Sequence, residues 1–228
     1  MGGHPSASSI TNGRLPTHIL CHNGQSNPIT RADRFESLGP QYEWNHNPNN
    51  DAWEINNGLV LHTATVTDDF FTVRNTLSHR ILGPQSTVTM ELDYSGMIDG
   101  DRAGLTLFRY QAAWIGVTKT GDTTRLVMVN NVTMEPTADG WATNNKSTEV
   151  SNVEISGGTI WLRLNVNISG GDGNEGRFSY SSDGTSHIDF GEPHVQDNQY
   201  LGYRYGVFNF ATAGLGGFVT VRSFDISQ

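Results

Sequence analysis

The sequence predicts an all-β fold, a two-sheet antiparallel β-sandwich of jelly-roll type, and three observations predict it. Apolar and polar residues alternate with period two in several segments, which is the side-chain period of a strand. Turn formers punctuate these segments: 26 of the 228 residues are Gly, and Thr, Asn and Ser are abundant. No segment keeps a helical period, so few helices are expected. A chain of this length can bury a sizeable core and is ordinary for a single sandwich domain.

Residues 1–32 are rich in Gly, Pro, Ser, Asn and His without periodicity, and read as a linker or N-terminal extension; the folded module is expected over residues 33–228. Cys21, the single cysteine, lies in this leader and cannot form an internal disulfide. Asn56-Asn57-Gly58 ahead of Leu59-Val60-Leu61 is a turn signal. Val88, Met90, Leu92 and Tyr94 point one way, and Thr87, Thr89, Glu91 and Asp93 the other. Ile160, Leu162, Leu164, Val166 and Ile168 repeat the pattern against Trp161, Arg163, Asn165 and Asn167. Ser181-Ser182-Asp183-Gly184 reads as a hairpin turn. Ten or more such strands make two sheets, and the concave outer face of one is where a ligand is expected.

The formal net charge is −9, and the 14 Lys and Arg residues are scattered, so neither nucleic acid nor an anionic membrane is an expected partner. No apolar run approaches the ~18 residues of a membrane span, and Met1–Ile10 does not read as a signal peptide. Asn131-Val-Thr, Asn145-Lys-Ser and Asn167-Ile-Ser match the N-glycosylation pattern, a weak pointer to secretion in so Asn-rich a chain.

Aromatic rings beside amides and guanidinium groups suit sugars, whose C–H faces pack on rings while their hydroxyls need hydrogen-bond partners. Trp114 alternates against Ile115 and Val117, and Trp161 sits with Arg163 and Asn165, so both are expected to leave the core. Trp53 is expected to pack on the core, and Trp141 to lie in a loop. Trp44-Asn-His-Asn-Pro48 and Arg74-Asn75 are dense in sugar-type hydrogen-bonding groups, although a self-capped turn and a surface ion pair explain them equally well. Glu91 and Asp93 share a strand face, the raw material of a glycosidase pair, which needs carboxylates ~5–9 Å apart. No spacing of His or Cys suggests a transition metal. Calcium stays open, with Gly170-Gly-Asp-Gly-Asn174 as a loop able to wrap it.

Taken together, Trp44-Asn-His-Asn-Pro48, Arg74-Asn-Thr-Leu77, Gly83-Pro84, Gly96–Leu105, Trp114-Ile-Gly-Val117, Phe178–Gly184 and Tyr203–Thr212 resemble the concanavalin A-like module that follows the catalytic domain in family 43 glycoside hydrolases, a xylan-binding group. The resemblance implies a sandwich without a catalytic pair. Its expected partners are xylan or xylo-oligosaccharide and a glycoside hydrolase catalytic domain, with no cofactor required and an extracellular location. On this basis Trp44 and Trp114 are expected to stack on sugar, with His46, Asn47, Arg74, Asn75 and Asn209 hydrogen-bonding it. Two alternatives stand beside this reading: a docking domain without sugar affinity of its own, and a sandwich hydrolase using Glu91 and Asp93.

Overall fold

The computed structural model describes residues 30–146, 148–170, 174–196 and 202–228. The expectations for Cys21, for the leader up to residue 29 and for the centre of the Gly170–Asn174 loop lie outside the described residues. The strands are β1 (Thr30–Asp33), β2 (Tyr42–Trp44), β3 (Trp53–Ile55), β4 (Leu59–His62), β5 (Leu77–Arg80), β6 (Gln85–Asp93), β7 (Asp101–Phe108), β8 (Gln111–Thr120), β9 (Thr123–Thr137), β10 (Gly140–Asn145), β11 (Thr148–Glu154), β12 (Thr159–Asn167), β13 (Glu175–Ser181), β14 (Ile188–Asp189), β15 (His194–Val195), β16 (Arg204–Ala211) and β17 (Phe218–Ser227). Two single 3₁₀ turns, Asn50–Ala52 and Phe70–Thr72, are the helical elements among the described residues.

The strands form two antiparallel sheets. The first has the order β14-β13-β12-β6-β17-β4-β3, with β1 also on β17 and β15 also on β13. The second runs β10-β9-β8-β7-β16-β5-β2, with β11 also on β9. In β6 and β12 the predicted alternation holds: Val88, Met90 and Leu92 are buried, as are Leu162, Leu164 and Val166, and Met90 pairs with Leu162 in register. The turn before β4 forms as its residues demand, Asn57 and Gly58 both taking positive φ (53° and 126°). A side chain at Gly58 would also meet the Val221 carbonyl at 2.6 Å.

The inner faces of the sheets close one core, with Leu105, Leu107, Ile115, Val117, Leu126, Met128 and Val207 facing Val88, Met90, Leu92, Leu162, Leu164, Val221 and Phe224. Trp44 and Trp53 are half-buried against this core, and Trp53 behaves as expected.

The outer face of the second sheet departs from the expected pattern, because it carries a second apolar layer. Phe208, Phe210, Trp114, Val127 and Val129 point outward from β16, β8 and β9, and the segment between β4 and β5 lays Phe70, Phe71 and Val73 over them. Phe70 packs 5.1 Å from Phe208 and 6.4 Å from Trp114, ring centre to ring centre. At ~25 cal/mol per Å² and ~200 Å² for each aromatic side chain, covering one ring contributes up to ~5 kcal/mol. The cover is therefore part of the fold.

Candidate functional site

The Phe70–Thr72 turn is fixed by its own sequence. Asp69 caps it, its Oδ1 accepting the Phe71 N–H at 3.0 Å. The same Oδ1 accepts from the Thr143 hydroxyl of β10 at 2.9 Å, and Lys146 pairs with Asp68 at 2.7 Å. Lys146 pulls the Asp68 carboxyl below its ordinary range by hydrogen bond and charge. On the other side, His46 donates from Nε2 to the Phe71 carbonyl at 2.8 Å, since a carbonyl can only accept, and this leaves Nδ1 as a lone-pair acceptor. One turn thus ties β10, at one edge of the second sheet, to the loop after β2, at the other.

Between these ties lies a cleft of about 790 Å³ lined by His46, Asn47, Asp69, Phe71, Thr72, Arg74, Met134, Trp141, Ala142 and Thr143. Trp141 stands 56% exposed on β10. Its ring lies 5.5 Å from Tyr110, and the Arg109 guanidinium lies 4.6 Å over Tyr110, so a guanidinium, a phenol and an indole form a continuous wall. The side chains of Asn47 and Arg74 have no hydrogen-bond acceptor or donor among the described residues and are exposed. Arg74 is held through its backbone N–H, which donates to Thr65 Oγ1 at 2.9 Å. The cleft thus offers one large ring, one free amide, one free guanidinium and an imidazole acceptor.

Of the seven residues expected to hold sugar, His46, Asn47 and Arg74 meet here, while Trp44, Asn75, Trp114 and Asn209 do not. Trp44 packs 5.2 Å from Trp53 against the core. Asn75 is buried at positive φ (59°), where its amide accepts from Asn49 N at 2.8 Å and donates to the Asn49 carbonyl at 2.9 Å. It shapes the loop that carries His46 and Asn47, and it is a structural residue. Trp114 does leave the inter-sheet core, as the alternation requires, but it is only 2% exposed beneath Phe70 and cannot stack on sugar. Asn209 is equally buried and donates to the Leu61 carbonyl at 2.7 Å. On the first sheet, Trp161 is half-buried, and its ring lies so close to the Gly184 turn that a side chain there would meet it at 2.9 Å.

Trp141 was expected in a loop, and it lies instead on β10, paired with Pro136 of β9. Asp139-Gly140 immediately before it is a two-residue hairpin signal, and a lone indole in an otherwise polar strand is the pattern that marks it. Asp69-Phe70-Phe71, an N-cap ahead of an apolar pair, likewise marks the cover.

Glu91 and Asp93 lie on the outer face of the first sheet, on a different sheet from this cleft. Burial pushes the Asp93 carboxyl up, but hydrogen bonds from Ser95 and Arg222, the latter at 2.8 Å, outweigh it and hold the group below its usual range. It is therefore poorly suited to donate a proton near neutrality. Among the described residues no group of three or more His, Cys, Asp or Glu side chains is placed to hold a metal.

The model of the beta-xylosidase C-terminal concanavalin A-like domain matches residues 32–227. Among solved structures, a family 43 glycoside hydrolase engineered to display both endo-xylanase and exo-arabinofuranosidase activity is 40% identical, with a TM-score of 0.81 over 86% of this chain and 40% of its own. A bifunctional GH43-CE protein from Bacteroides eggerthii is 29% identical, with a TM-score of 0.76 over 86% of this chain and 25% of its own. A xylan beta-1,4-xylosidase from Bacillus halodurans C-125 shares the fold at 11% identity, with a TM-score of 0.68 over 98% of this chain and 41% of its own. The chain thus spans less than half the length of each. No curated protein resembles it closely enough in sequence to count as a relative. The match covers a C-terminal module of family 43 enzymes rather than their catalytic domain, and the chain belongs to the family of beta-xylosidase C-terminal concanavalin A-like domains.

Proposed function

We propose that this module holds xylan or xylo-oligosaccharide chains, without cleaving them, in the cleft between His46, Arg74 and Trp141, as an accessory to a family 43 catalytic domain acting outside the cell. The observation that carries the reading is the exposed Trp141 facing unpartnered polar groups. An indole left 56% exposed gains by covering its face with the C–H side of a sugar ring, while Asn47, Arg74 and His46 Nδ1 satisfy the hydroxyls around it. Affinity should be micromolar to millimolar, because the gain from a few contacts is offset by lost freedom and by desolvation of the hydroxyls.

A second reading is docking. The structural matches lie within chains far longer than the matched segment, and the same indole could be buried against a catalytic domain. Calorimetric titration of xylohexaose, cellohexaose and arabinoxylan separates the two. The carbohydrate reading predicts heat with the xylan-type ligands and its loss in Trp141→Ala, with the melting temperature unchanged. Absence of heat with every ligand supports docking; equal heat in the variant overturns the site.

A further inference from the structure

Beyond the cleft, the outer face of the second sheet carries a separate cationic pocket. Phe210, Arg102, Thr118 and Arg125 stand side by side on β16, β7, β8 and β9, in register and all directed away from the inter-sheet core. With Lys119, Thr120, Glu149 and Thr212, the last three of these four enclose about 160 Å³. Two guanidinium groups, Arg102 and Arg125, therefore flank a space whose lining holds one carboxylate, in a chain whose net charge is −9.

Two donors here, on Arg102 and Thr118, have no hydrogen-bond partner among the described residues. The Arg102 guanidinium is half-buried and held 5.9 Å over the Phe210 ring, yet none of its N–H groups reaches an acceptor among the described residues. Burial lowers its pKa, the mark of a charge short of hydration, while Glu149 and Asp68 counter this only at longer range. Arg125 approaches Glu149 at 3.6 Å, too far for a close ion-paired hydrogen bond. The Thr118 hydroxyl is buried and has no hydrogen-bond partner among the described residues. Buried donors of this kind are normally paired.

We propose that this pocket is a subsite for the carboxylate of a uronic acid carried as a substituent on the glycan. A guanidinium is a planar fork that fits a carboxylate with two parallel hydrogen bonds, and Arg102 and Arg125 together would neutralise it, with the Thr118 hydroxyl as a further donor. The pocket is smaller than the ~300–1,000 Å³ of common ligand sites. It takes a head group, not a polymer. That the acid is a sugar acid rests on the carbohydrate reading of the cleft on the same face.

The test is side-chain NMR of the full chain, following the arginine Nε–Hε signals as sodium glucuronate, glucose, inorganic phosphate and xylohexaose are added separately. Glucuronate is expected to shift the Arg102 and Arg125 signals and glucose to leave them in place. Arg102→Gln should weaken glucuronate binding about tenfold or more, the scale of one charge-assisted pair. Thr118→Val, which keeps the side chain's volume, should weaken it less and guards against a folding effect of the first variant. No shift with glucuronate overturns the proposal, whether or not xylohexaose binds. Phosphate shifting the same signals as strongly as glucuronate also overturns it, since the pocket would then hold small anions without recognising a sugar. Failure of xylohexaose alone counts against the cleft and leaves the glucuronate result to decide the pocket.

Discussion

Burial drives the His194 imidazole down to about 4 from an ordinary 6.5. The residue is 5% exposed, Nδ1 lies 2.7 Å from Asn130 Oδ1, and Nε2 is buried with no partner among the described residues. Since Asn130 Oδ1 can only accept, Nδ1 carries the proton and Nε2 is an empty lone pair, so protonation would place a charge where nothing receives it. The folded pKa is the depressed one, so the stability due to neutral His194 is complete above pH 6.5 and is lost as pH falls toward 4, at up to ~1.4 kcal/mol per pH unit. His79 and His187 are lowered in the same direction by their own burial, so the difference between proteins is the readout. Melting curves should show a steeper acid loss between pH 6.5 and 4 in the parent than in His194→Gln. Parallel curves would remove His194 as the cause. Single residues of this kind are hard to read in a sequence: His194 sits in Glu192-Pro-His-Val195, and only the fold buries it.

At the scale of elements, the segment from Thr63 to Thr76 decides what the second sheet can do. By period two alone, Trp114 points outward, and it does, beside Phe208 and Phe210. What period two does not contain is whether another segment will cover that face. Phe70 and Phe71 do so, and a presumed sugar platform becomes a second core. Trp114→Ala should therefore cost about 3–5 kcal/mol in denaturant unfolding, the range for a large buried aromatic, and weaken sugar binding only as far as it unfolds the chain. A variant that keeps parental stability and loses xylohexaose binding would reverse this assignment. The β6 and β12 alternation and the turns at Asn57-Gly58 and Asp183-Gly184 were legible because their rules are local. Asn75 and Asn209 were misread because an amide fit for sugar is equally fit for a backbone carbonyl, and the choice between them depends on residues 26 and 148 positions away.

For the whole molecule, the two sheets turn outer faces of different character to the outside. The first presents hydroxyl, amide and paired charged groups along β6 and β12, with Asp93 held by Arg222. The second is closed at its centre by aromatic packing, and that packing lifts the Phe70–Thr72 turn into position to hold β10 and the loop after β2 on either side of one cleft. The fold class followed from composition and alternation. Three of the seven residues expected to hold sugar, His46, Asn47 and Arg74, line the cleft, because they lie in short polar clusters that stay exposed or part-exposed at its rim. The exposed indole beside them was read as a loop residue because its strand is short, polar and at an edge.

The most direct measurement is a crystal structure of the chain soaked with xylohexaose. The account predicts sugar density lying flat on Trp141, with hydroxyls within hydrogen-bond reach of Asn47, Arg74 and His46 Nδ1. Density on the outer face of the first sheet, along Thr87, Asn165 and Arg177, with the Trp141 cleft empty, would contradict it.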